Sequence, residues 1–155
     1  MFSPRNGFTA SIAILLLAST PALANWEGTE WGMSPGAALA ALEGATSHTP
    51  GEAEKYDYDG NRYSPLVKQA RAIEGVAGEA TLLFDANEAL SFVVFSPDET
   101  AQCDALGDAL LALYGPAEPT GFGSTEIYNW ANQGDMVRFT NSPDAGFCNL
   151  NYSAS

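Results

Sequence analysis

The sequence predicts an α+β fold, an antiparallel sheet with two helices on one face, and three observations predict it. A complete helix signal runs from Ser96 to Pro116, two β-rich runs joined by a short turn precede it, and three further runs separated by turn clusters follow it. A Ser-Pro pair opens each helical stretch, at Ser34-Pro35 and at Ser96-Pro97, so the chain reads as one α-β-β-β rhythm stated twice.

With 155 residues, 46% hydrophobic and 16% charged, the chain suits one compact domain with a substantial core. Residues 1–24 have the layout of an export signal. Arg5 supplies the positive start, Phe8 to Ala18 the apolar run, and Ala22-Leu23-Ala24 the small-residue cleavage site. The apolar run is too short to span a bilayer, and no cysteine follows the cleavage point to carry a lipid anchor. The expected domain is therefore residues 25–155, exported and soluble, in a periplasm or secreted.

Within that domain Trp26 and Trp31 are expected to pack onto the fold. Ser34 can cap a short helix whose first turn takes Pro35, whose apolar side is Leu39, Leu42 and the alanines, and which Gly44 stops. Gly44 to Gly60, rich in Thr, Ser, Pro, Gly and acids, reads as a surface loop. Leu66 to Ile73 fits either a strand or a helical turn. Glu79–Phe84 and Ala89–Phe95 read as a hairpin turning at residues 85–88, with Phe84, Phe92 and Val94 in the core.

The second helix has Ser96 as N-cap, Pro97 in the first turn and Glu99 completing a capping box. Its stripe is Cys103, Leu106, Leu110, Leu113 and Tyr114, with Gly107 leaving bare backbone for a close approach, and Gly115-Pro116 ends it. Thr125–Ala131, Met136–Thr140 and Phe147–Tyr152 complete an antiparallel meander, turning at residues 132–135 and 142–146. Ile127 or Tyr128, Trp130, Val137, Phe139 and Leu150 alternate toward the helix.

Two cysteines in an exported chain are expected to pair, so Cys103 and Cys148 should tie the second helix to the last strand. In the chain-entropy account a loop of that length is worth about 4 kcal/mol. A reactive thiol couple would want C-x-x-C spacing and electropositive surroundings, which the sequence lacks.

The Trp31-Gly32-Met33-Ser34-Pro35 opener, the strand-turn-strand before Ser96 and the Leu113-Tyr114-Gly115-Pro116 close resemble small exported bacterial proteins of uncharacterised families. That resemblance rests on short motifs and implies no function.

Charge narrows the partners. Without residues 1–24 the chain has five basic against nineteen acidic residues, a net charge of −14. Phosphate backbones and anionic lipid surfaces are repelled, so nucleic acid and membrane are disfavoured and a cationic protein or peptide is favoured. The acids are scattered rather than in runs. The leading expectation is a non-enzymatic binding protein for a cationic partner.

Catalytic motifs are weak. Gly32-Met33-Ser34-Pro35-Gly36 matches G-x-S-x-G, but the residue after the serine must donate a backbone N–H to the oxyanion, and Pro35 has none. A carboxylate-dependent hydrolase of glycosidase type is the alternative, since nineteen acids offer many pairs. Asp57-Tyr58-Asp59-Gly60-Asn61 begins like a calcium loop, making Asp57, Asp59 and Asn61 candidate ligands of a weak site. Arg62 and Lys68 then stand where that loop wants Gly and Glu, and a tight turn is the simpler reading. One histidine, His48, and two paired cysteines cannot make a zinc site, and no cofactor is implied. Tyr56, Tyr58, Tyr63, Trp26 and Trp31 are candidates for an aromatic surface that would take a sugar or a peptide, set against the commoner use of such residues as core.

Overall fold

A computed structural model describes residues 26–155. In chain order these are α1 (Pro35–Ala41), β1 (Thr46–Ser47), β2 (Tyr56–Tyr58), β3 (Asn61–Ile73), β4 (Val76–Phe84), β5 (Leu90–Pro97), α2 (Cys103–Tyr114), β6 (Thr120–Phe122), β7 (Thr125–Asn132), β8 (Asp135–Ser142) and β9 (Phe147–Ala154). All strands join one antiparallel sheet in the order β1-β3-β4-β5-β9-β8-β7-β6, with β2 paired to the start of β3. Each half is a meander, and the last strands of the two halves, β5 and β9, pair at the centre.

The expected α+β fold with two helices on one face is therefore corrected. The described chain is mostly antiparallel sheet, with one helix of substance, α2, and a seven-residue turn of helix, α1. Nor does α-β-β-β hold twice, because five strands follow α1 and four follow α2. Three segments account for the difference. Ser96 and Pro97 do not open a helix: β5 runs through Pro97, which pairs with Gly78, and Glu99 instead precedes a 3-10 turn at Thr100–Gln102. Proline at the last residue of a strand costs little, since the ladder stops there. The ambiguous run at Leu66–Ile73 belongs to β3, a strand of 13 residues. The expected loop at Gly44 to Gly60 contains β1, a 3-10 turn at Glu52–Glu54 and β2, whose residues are all exposed and so leave no apolar alternation to read.

Other elements stand as the residues suggest. Ser34 Oγ accepts from the Ala37 N–H at 3.3 Å and Pro35 takes the first turn of α1, although the helix ends at Leu42, two residues before Gly44. Gly115 closes α2, its N–H donating to the Leu111 carbonyl. The β4–β5 hairpin and the β7–β8–β9 meander pair antiparallel.

The core lies between the sheet and α2, filled by Phe84, Phe95, Phe139, Leu106, Leu110, Val137 and Leu150, with Trp26 against Phe95 and Tyr152. Ala38 and Leu42 from α1 join the same cluster. Gly107 fits its expected use, since an added Cβ would stand 3.0 Å from the Phe139 ring. Three core assignments change. In β5 it is Val93 and Phe95 that face inward, whereas Phe92 and Val94 face the other side, because an irregularity between Leu83 and Phe84 shifts the pairing by one residue. Such a slip moves every following side chain to the opposite face. In α2, Leu113 is 54% exposed instead of buried.

The expected export signal, residues 1–24, lies outside the described residues. Among the described residues no helix is long and apolar enough to cross a membrane.

Candidate functional site: the outer face of the sheet

Alternation gives the sheet two unlike faces. Along β9, Cys148, Leu150 and Tyr152 are buried toward α2, and Phe147, Asn149, Asn151 and Ser153 point the other way. Their β8 partners on this outer face are Met136, Arg138 and Thr140. On the other side of β9 come Phe92 of β5, Leu83 of β4 and Tyr63 of β3. Leu83 is buried yet outside the central cluster, so it forms the floor of a second, shallower apolar layer.

Above that floor stands the β2–β3 hairpin. Asp59 and Gly60 turn it with φ of 50° and 74°, a two-residue turn with both central residues left-handed, which matches the strand twist. The turn brings Tyr56 and Tyr58 over the sheet, and Tyr58 and Tyr63 meet Phe92 edge-on at centroid distances of 5.8 and 4.9 Å. Arg62 holds the hairpin base through Glu52 at 3.2 Å and Asp57 at 3.7 Å, and Lys55 also pairs with Glu52. These pairs are exposed, so each ties the hairpin down only weakly.

The result is a groove of about 430 Å³ between an aromatic wall of Tyr56, Tyr58, Tyr63 and Phe92 and a polar wall from β8 and β9. On the polar wall Asn151 Nδ2 donates to Asn149 Oδ1 at 2.9 Å, and Arg138 Nε donates to Asn129 Oδ1 at 2.9 Å. A neighbouring hollow shares Tyr58, Tyr63, Phe92, Met136 and Ser153 and extends the groove to Trp31. The Trp31 indole N–H is itself fixed by the buried Asp135 carboxylate at 2.7 Å. In a chain this acidic the groove is nearly uncharged, with Asp57 and Arg138 its charged lining residues.

No protein family, curated protein or solved structure matches this chain.

The aromatic residues singled out in the sequence divide in two. Tyr56, Tyr58 and Tyr63 come together in the groove with Trp31 at its end, and Trp26 goes into the core, its indole donating to Gln69 Oε1. Asp57, Asp59 and Asn61 fall on the tight hairpin: Asp57 lies beside Arg62, Asp59 occupies the turn, and the Asn61 amide donates to the Asp59 carbonyl. No group of three or more His, Cys, Asp or Glu side chains placed to hold a metal ion occurs among the described residues. Ser34 caps α1 and His48 pairs with Glu54 at 2.8 Å.

Cys103 and Cys148 form the expected disulfide, with Cα atoms 5.8 Å apart, joining the first residue of α2 to β9. It lies directly behind Phe147 and Asn149, so it braces the strand that supplies much of the groove.

A second hollow, about 230 Å³, opens beside α2 on the opposite face, between Asp104, Asp108, Glu126 and Tyr128. Partial burial first, then the Glu126 carboxylate, push the Tyr128 phenol above its ordinary range. All three carboxylates are exposed, and Asp104 accepts from the Asn141 amide. A general acid for glycoside cleavage needs a dry pocket that keeps it protonated, and none of these three has one.

Several groove residues have no separate signal in the sequence. Asn149 and Asn151 occupy the polar positions of an alternating strand, which marks them as outward without saying toward what. Phe92 reads as core because it is apolar and β-rich on both sides, and only the shifted register turns it out.

Proposed function

We propose that this chain is an exported, non-enzymatic binding domain that holds a partner protein of positive surface charge across the outer face of its sheet. One observation carries the reading. The groove is lined by Tyr56, Tyr58, Tyr63, Phe92, Phe147, Met136 and Arg138, with no Lys or Glu, on a molecule whose charged groups are overwhelmingly acidic. Tyr, Phe, Met and Arg are the side chains enriched at the centres of protein interfaces, and Lys and Glu are depleted there. Half-exposed large apolar side chains gathered into one groove favour a covering partner over solvent.

Charge and contact then divide the work. The net charge of −14 attracts a basic protein and orients its approach, while the groove, whose charged lining residues are Asp57 and Arg138, makes the close contact. The Asn149, Asn151 and Arg138 groups supply hydrogen bonds along the polar wall.

The test is affinity capture from a cell-envelope extract of the native host at low and high salt. The wild-type chain is compared with Tyr58→Ser/Met136→Ser, whose side chains are half exposed and should leave the fold intact. One cationic protein retained at low salt, reduced at high salt and lost with the double variant supports the reading. Equal retention by the variant, or no salt-sensitive partner, refutes it.

A further inference from the structure

We infer that the docking surface continues beyond the groove to the sheet edge, where Phe122 is an anchor side chain that enters an apolar pocket on the partner; this rests on the reading of the outer face given above. Phe122 is 92% exposed, the most exposed of the large hydrophobic residues described. Its backbone is held in place. β6 pairs with β7 through Phe122↔Thr125 and Gly121↔Glu126, and Thr120 Oγ1 donates to the Ile127 carbonyl at 3.2 Å. Gly121, at φ +146°, lies so close to β7 that an added Cβ would strike the Thr125 carbonyl oxygen. A glycine at this position is what lets the edge strand close down and present the next side chain.

The register fixes the direction in which that side chain points. Residues directly opposite in antiparallel strands share a face. Phe122 is therefore on the side of Thr125, whose hydroxyl meets that of Ser142 at 2.8 Å, and Ser142 pairs with Phe147, a groove residue 45% exposed. Phe122 and Phe147 thus end one cross-strand row on the outer face, with only small hydroxyl residues between them. Three strand spacings separate them by about 14 Å, within the span of one partner surface.

Glu126 and Asp108 line the hollow beside Tyr128 on the helix side of the sheet, so neither stands in the row between Phe122 and Phe147. A partner reaching Phe122 comes through the field of a strongly acidic molecule and must be basic around an apolar pocket. An anionic lipid surface meets the same field as repulsion.

The experiment uses the full chain in its native cells with a photoreactive side chain at one of two places, Phe122→p-benzoylphenylalanine or Tyr58→p-benzoylphenylalanine. The expected result is cross-linking of the same cationic protein from both positions. Purified wild-type chain should compete this away, and Phe122→Ala should need about tenfold more competitor or worse, as for an interface hot spot. Phe122→Ala should melt with the wild type, which separates a binding loss from a folding loss. Cross-linking from position 58 but not 122, or undiminished competition by Phe122→Ala, overturns the anchor and leaves the groove reading standing. No cross-link from either position overturns both. Co-sedimentation of the wild type, but not Phe122→Ala, with phosphatidylglycerol vesicles assigns Phe122 to a lipid surface and overturns the inference.

Discussion

Gly78 shows how much one side chain can decide in a sheet. It sits in β4 opposite Pro97, and an added Cβ would run into the Ser96 carbonyl oxygen and stand 2.6 Å from Phe95 Cζ. Glycine within a strand ordinarily weakens it, so an exchange to alanine would be expected to help. Here the ring of Phe95, fully buried, occupies the space instead. Gly78→Ala should therefore destabilise by about 1–3 kcal/mol, the usual cost of forcing extra volume into a packed site. Urea unfolding of the variant checks the sign, and an unchanged or raised midpoint would show that Phe95 can move aside. Phe92, two strand positions before Val94 on the same side, is the counterpart: its ring faces outward under Tyr58 and Tyr63, where it serves the groove rather than the core.

Among the elements, α2 is tied to the sheet at both ends. The disulfide holds its first residue to β9, the Asp104 carboxylate accepts from Asn141 of β8, and at the far end Trp130 of β7 donates to the Gly115 carbonyl at 3.0 Å. The bridge spans 45 positions. Closing a loop of that size restricts the unfolded chain by up to about 4 kcal/mol. Against a total stability of about 5–15 kcal/mol for a domain of this kind, that share is large. Cys103→Ser should accordingly lower the urea midpoint sharply while native-like circular dichroism persists in water. Intact mass after alkylation, with and without reductant, should find no free thiol in the natively produced wild type. Two alkylated thiols without reductant would refute the pairing.

At the scale of the whole molecule, the contact between α2 and the sheet centre is set to fail in alkali. Tyr114 of α2 and Tyr152 of β9 share a hydrogen bond between their hydroxyls at 3.2 Å. Burial raises both phenols above their ordinary value, and for Tyr152 the neighbouring Tyr114 raises it further. Below about pH 10, the ordinary value for tyrosine, native and unfolded chains both keep these protons and the stability is intact. Above it the unfolded chain ionises while the native one holds its protons, so stability falls as pH rises. Urea midpoints at about pH 9 and about pH 11 should show that fall, and Tyr152→Phe should flatten it. An equal loss in the variant would place the alkaline sensitivity elsewhere.

The sequence by itself determined the elements whose signals are local. Ser34-Pro35 opens α1 and Gly115 closes α2 because caps answer to a few adjacent backbone groups. The hairpin into β5 and the closing meander were legible from alternation and turn residues, and the cysteine pair from there being two cysteines and no third to compete. Tertiary structure decided the rest. Ser96-Pro97 carries the same opening signal as Ser34-Pro35, yet pairing with β4 keeps it in a strand, since an unfinished sheet offers more than a helix cap there. The long β3 was hidden because its first residues are exposed on both sides and its pattern changes at a bulge between Pro65 and Val67. The groove was the least legible part. Tyr56, Tyr58 and Tyr63 are close in sequence and Phe92 reaches them across β4, but Met136, Phe147 and Asn151 reach them only through the pairing of β5 with β9, a long-range contact between the last strands of the two halves. Which face of each strand looks outward depends on register, and register is a property of pairs of strands that no single segment contains.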